Sequence, residues 1–183
     1  RIAQVAAVAL AVANITVLGV VPSSVAALPG PCDAPVNKVA CENTKSVPAD
    51  QSDEWMVSSI DDSVVGYTDN ISYAPGETVN FKVKTDASQY WIDIYRLGFY
   101  GGKGARRIVK DMTRINPPAQ PACYEDQPAN PANDVGIVDC GNWATTSTYT
   151  LPADSVSGVY YAVLRRVYPD QSIGESDIVF IVR

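Results

Sequence analysis

The sequence predicts an all-β fold: an antiparallel β-sandwich of seven to eight strands, immunoglobulin-, fibronectin- or jelly-roll-like, preceded by an apolar export helix. Three observations carry this. Short β-branched and aromatic segments recur from Trp55 onward, residues of the Pro, Gly, Asn and Asp type bound each one, and no apolar period of 3.6 residues is sustained after Trp55. Strands without helices between them cannot make a parallel crossover sheet, so two packed antiparallel sheets remain.

Residues 1–27 carry one charge, at Arg1, then an apolar run from Ile2 to Val21, then Pro22 and the small residues Ser23 to Ala27. That is the layout of a signal peptide with its cleavage site after Ala27; the competing reading is an uncleaved membrane anchor. Both place the remainder of the chain outside the cytosol. The first residue is not methionine, so the sequence reads as a piece of a longer chain. Residues 28–54, rich in Pro, Ala and Asn, read as an extended leader, and the domain is expected over 55–183.

Within that domain Thr78–Lys84 alternates strictly, with Val79, Phe81 and Val83 on one side and Asn80, Lys82 and Lys84 on the other, after a turn at Ala74-Pro75-Gly76-Glu77. Tyr90–Leu97 reads as a central strand, Gly98–Gly104 as a tight hairpin and Ala105–Met112 as its return. Thr145–Leu151, Gly158–Val167 and Ser176–Val182 supply three more strands. The segment Asn116–Asp134 is a long Pro- and Asn-rich excursion.

Composition excludes several functions. There are 14 basic and 20 acidic residues, a net charge of -6, and no basic block, which argues against nucleic acid and anionic membranes as partners. The chain has no histidine, which removes serine and cysteine triads and zinc sites of the His-rich or mixed Cys/His kind. Its four cysteines lack CxxC spacing, and disulfides fit better: Cys32 with Cys41 to staple the leader, Cys123 with Cys140 to pin the excursion.

Few residues stand out as sites. Arg96, Tyr100 and Arg106 flank the glycine-rich hairpin and form the candidate interaction surface, for a neighbouring domain or a glycan. Trp91, Trp143 and Tyr160 read as core, with Trp55 undetermined. Asp50, Asp53, Glu54, Asp61 and Asp62 read as a solvated acidic surface rather than a calcium loop. Asn70-Ile71-Ser72 is a glycosylation sequon, meaningful only in a host that glycosylates.

The run from Tyr90 to Arg106 resembles the signature of the N-terminal sandwich in the N,N-dimethylformamidase large (beta) subunit family. Three more pieces fit in the same order: Cys41-Glu42-Asn43 with Glu54-Trp55; Gln120-Pro121-Ala122-Cys123 with Asp139-Cys140-Gly141-Asn142-Trp143; and Val156-Ser157-Gly158-Val159-Tyr160 leading to Ile178-Val179-Phe180. The resemblance implies a secreted bacterial multidomain protein in which the sandwich precedes a larger domain. It also implies amide hydrolysis at a mononuclear iron held by tyrosines and a glutamate of that larger domain, beyond Arg183. No catalytic, cofactor or metal residue is carried over onto this sequence. The expected partners are the downstream domain and, as an alternative function, an extracellular polysaccharide or surface.

Overall fold

The structure, a computed structural model, describes residues 28–125 and 136–183. The expected export segment, residues 1–27, and residues 126–135, which include the latter part of the excursion, lie outside the described residues. Among these residues no helix is long and apolar enough to cross a membrane.

The predicted sandwich is present. A three-stranded sheet has the order β1 (Val64–Thr68), β3 (Thr78–Thr85), β8 (Ser147–Thr150). A five-stranded sheet has the order β2 (Ser72–Tyr73), β10 (Ile173–Val182), β9 (Gly158–Val167), β4 (Gln89–Leu97), β5 (Ala105–Ile115). Their facing sides alternate as the sequence predicts. Val79, Phe81 and Val83 of β3 meet Tyr90, Ile92 and Ile94 of β4, Ala162 and Leu164 of β9, and Phe180 of β10 in one core. Phe180 joins the layers, its ring 6.1 Å from Phe81 across the sheets and 5.4 Å from Tyr160 in its own. Burying each such side chain contributes about 1.5–3 kcal/mol, so this shared core holds the two sheets together.

Four local features differ from the expectation. The pair β2–β10 is parallel, because the chain leaves the first sheet after β1 and enters the second within a few residues. Asp69 fixes that crossing by accepting from the Tyr73 hydroxyl at 2.6 Å and from Asn80 Nδ2 at 2.7 Å. The hairpin at 98–104 is not tight. It closes with a Gly98 N–H bond to the Gly104 carbonyl and contains a 3-10 turn over Tyr100–Gly102, since Tyr100 swings inward with φ 42°. The strand β5 runs to Ile115, beyond the expected Met112, and shifts register against β4 where Asp111 takes φ 54° and donates its N–H to Asp93. Finally, the leader is not wholly extended: α1 (Lys38–Asn43) begins at Asn37, whose side chain caps Ala40 N–H at 3.0 Å.

Both expected disulfides form, Cys32–Cys41 bracing α1 and Cys123–Cys140 closing the excursion beside the short ladder of β6 (Tyr124–Glu125) and β7 (Val138–Asp139).

Candidate functional site

Arg96, Tyr100 and Arg106 are brought together at one end of the sandwich, but Arg96 and Tyr100 face inward, each 2% exposed. An outward-facing surface made of all three is therefore corrected to a buried node in which Arg106 alone keeps some exposure. Strand alternation explains the turn inward, because Arg96 continues the Tyr90, Ile92, Ile94 side of β4 that faces the core.

At its centre is a residue the sequence did not single out as a site. Glu42, in the last turn of α1, is 3% exposed. Its Oε1 accepts from Arg106 Nε at 2.7 Å, from Arg106 Nη2 and from the Tyr100 hydroxyl at 3.1 Å, while Oε2 pairs with Lys45 at 2.6 Å. Burial pushes the Glu42 carboxyl up, yet the bonds and charges of Lys45 and Arg106 outweigh it and hold the group below its ordinary value. Burial pushes the Tyr100 hydroxyl up in turn.

Arg96 has every nitrogen engaged. Its Nη1 donates to Asn43 Oδ1 at 3.0 Å and to the Tyr100 oxygen at 2.9 Å, Nη2 to the Ser157 carbonyl at 2.8 Å, and Nε to the Val156 carbonyl at 3.4 Å. Two glycines make room for this. A Cβ at Gly98 would lie 2.4 Å from Asn43 Oδ1, and one at Gly158 3.1 Å from Arg96 Nε.

A second set of contacts laces the leader to the outer face of the five-stranded sheet. Glu54 pairs with Arg107, and its carbonyl accepts from Arg165 Nη2. Arg165 also pairs with the buried Asp93 and, at 2.6 Å, with Glu175. Trp55 lies over Gly104, where a Cβ would approach its ring to 2.7 Å, and donates from Nε1 to the Lys103 carbonyl at 3.1 Å. This resolves the role of Trp55: it covers Tyr95, Ala105 and Val163 on that face. Trp143 and Tyr160 are buried, as read from the sequence, whereas Trp91 is half-exposed.

The pieces that carry the family resemblance thus meet one another in space. Glu42 and Asn43 meet Arg106 and Arg96; Glu54 and Trp55 meet Arg107 and Gly104; Val156 and Ser157 accept from Arg96. Far away, Gln120 bridges Val83 and Ala144, and the Pro121 and Ala122 carbonyls accept from Trp143 Nε1 and Asn142. The family model for an N,N-dimethylformamidase beta subunit-like, C-terminal region matches residues 91–183, just over half of the chain. The chain belongs to that family. A C-terminal region is a different placement from the N-terminal one that the resemblance implied, and the match starts inside β4. No curated protein matches the chain.

An iron site of tyrosines and a glutamate, of the sort the resemblance implies for this dimethylformamidase family, does not fit the described residues. Tyrosines and a glutamate do meet at the node, but there Arg106, Tyr100 and Lys45 occupy the Glu42 oxygens and a second guanidinium, Arg96, adds positive charge. Burial pushes Tyr160 to about 12, and its hydroxyl donates to the Val156 carbonyl. Among the described residues no group of three or more His, Cys, Asp or Glu side chains is arranged to hold a metal ion, the acidic residues 50–62 included.

Proposed function

We propose that the chain is the non-catalytic accessory sandwich of an exported N,N-dimethylformamidase-like protein, packing against a larger domain that holds the iron and hydrolyses the amide. One observation carries the reading: the residues that mark the family are engaged in holding this unit together. Arg96 and Glu42 have their hydrogen-bonding capacity filled from within. Such groups set shape and leave no free acid, base or nucleophile at the node. Export is supported by the signal-like residues 1–27 and by two disulfides, which persist in oxidising compartments. The domain is taken as residues 55–183, with 28–54 as a leader that braces it.

The test is to express the full-length gene product with and without residues 28–183. Lowered thermal stability and amide hydrolysis on deletion are expected. Unchanged stability, iron content and turnover, or turnover by the 183-residue chain alone, would overturn the reading.

A further inference from the structure

The two sheets differ in width: three strands face five, and on one side of the sandwich β8 and β5 are the outermost strands. Between them lies a groove of about 400 Å³, with Met112, Thr113 and Arg114 on one bank and Thr145 to Thr148 on the other. The mismatch shows in the packing. Among the described residues, the apolar side chains that pack against the shared core yet stay only partly buried are Ile108, Val109 and Met112 of β5 and Tyr149 of β8. The backbone of β8 is open on the same side. Asn80, opposite Thr148 in register, accepts from the Asp69 N–H at 3.1 Å and turns its own N–H to Asp69 Oδ1 at 3.4 Å. Opposed residues of an antiparallel ladder point their backbone groups either toward each other or away, so those of Thr148 face the groove.

We propose that this groove accepts an extended segment of a partner protein as a further strand on β8, with alternate apolar side chains laid over β5 and one acidic side chain on Arg114. A strand added to an edge lies about 4.8 Å beyond it, which here places it over β5 and completes the smaller sheet. Edge chemistry selects β8 as the receiver. β5 is blunted, as exposed edges usually are, by Lys110 and by the register break where Asp111 takes φ 54°, whereas Ser147–Thr150 carries no charge, proline or bulge. Charge sets the composition of the partner. Of the cations on β5, Arg106 is matched by Glu42, Arg107 by Glu54 and Lys110 by Asp111 at 3.7 Å, and the exposed Arg114 has no ion pair or hydrogen bond among the described residues. Arg114 stands opposite the core residue Tyr90 in register, so it projects toward the groove and not to the outer face. The Tyr90 hydroxyl donates to Thr146 Oγ1 at 2.7 Å and lies 2.9 Å from Ser147 Oγ, closing the floor. A carboxylate is the group that a free guanidinium fork matches best.

The test is an amide NMR titration of the full chain with an acetylated, amidated peptide of about seven residues that alternates threonine and valine around a central glutamate. Saturable shifts confined to residues 106–115 and 145–151 are expected. Lysine in place of the glutamate should weaken binding roughly two- to fivefold, and N-methylation of alternate peptide amides about tenfold or more. Arg114→Glu should reverse the preference between the glutamate and lysine peptides, a swap that a structural role for Arg114 would not produce. Thr148→Pro should weaken both peptides about tenfold by removing the outward N–H while the pairing with β3 stays. Arg114 is exposed, so the proposal does not hang on whether the Thr148 variant folds. No saturable shift up to about 5 mM, equal affinity for the two charge forms, or undiminished binding of the N-methylated peptide would overturn it. Shifts at the groove that grow with protein concentration in the absence of peptide would overturn it as well, because a second copy would then be the occupant. The inference stands apart from the accessory role, because deleting activity in a larger domain would leave these titrations untouched.

Discussion

Arg96 and Arg166 occupy the same side of adjacent strands, at opposite ends of the sandwich, and both are nearly closed off from solvent at 2% and 6% exposure. One has every nitrogen matched by a fixed acceptor; the other has an exposed carboxylate on one nitrogen and an unmatched Nε. A buried charge is tolerated only when its hydrogen bonds are made, and each unmade one costs about 1–3 kcal/mol. The difference teaches which buried guanidinium the fold fully satisfies: the Arg96 end is closed by acceptors from its own leader and β9 entry, and the Arg166 end leaves one buried nitrogen unmatched.

The largest effect should come from breaking the closed end. Arg96→Met removes the donors that satisfy the Val156 and Ser157 carbonyls and the Tyr100 oxygen, and leaves Asn43 unpaired. A loss of about 3–5 kcal/mol is expected, read as a lowered urea midpoint with an unchanged slope. A loss below about 1 kcal/mol would mean that the node contributes little.

A middle-sized effect should come from Glu42→Gln, and its pH dependence sharpens the comparison. The folded-state carboxyl is held below its ordinary value, so its stabilisation is full above the unfolded value near 4.3 and is lost as pH falls through the lowered folded value. At neutral pH the variant should lose about 1–3 kcal/mol, less than a wholly sealed pair would because Arg106 keeps 26% exposure. Below about pH 4 the gap between the two proteins should narrow. Urea unfolding at a series of pH values checks this, and a gap that stays constant would show that the Glu42 charge is not what ties α1 to the hairpin.

Much of the fold was legible because sheet faces repeat every two residues and turns have their own chemistry. Val79, Phe81 and Val83 declared a buried face, and Gly76 at φ 88° sits in the turn expected before them. The node was only half legible. Arg96, Tyr100 and Arg106 lie close in sequence, but their partner Glu42 stands more than fifty positions earlier in a stretch without periodicity, and a carboxylate there looks like any solvated one. The hint lay in Cys41-Glu42-Asn43, a piece of the family resemblance that carries no periodic signal of its own. Less legible still was the pairing of Asp86 with Arg166 across eighty positions, which depends on two turns meeting at one end of the sandwich. The parallel β2 was unreadable for another reason: two residues cannot display an alternation.

The smallest effect should come from Arg166→Met. This change removes a guanidinium whose one partner is a largely exposed carboxylate, and such pairs contribute about 0–1 kcal/mol. It also deletes an unmatched buried Nε, which favours the variant, while the stack on Tyr168 favours the native residue at about 0.5–1 kcal/mol. These contributions nearly cancel, so the urea midpoint should move by less than about a third of the shift seen for Arg96→Met, the thioether taking the place of the arginine stem. An equally large loss at both arginines would erase the distinction between the ends and make Arg166 one more brace of the sandwich.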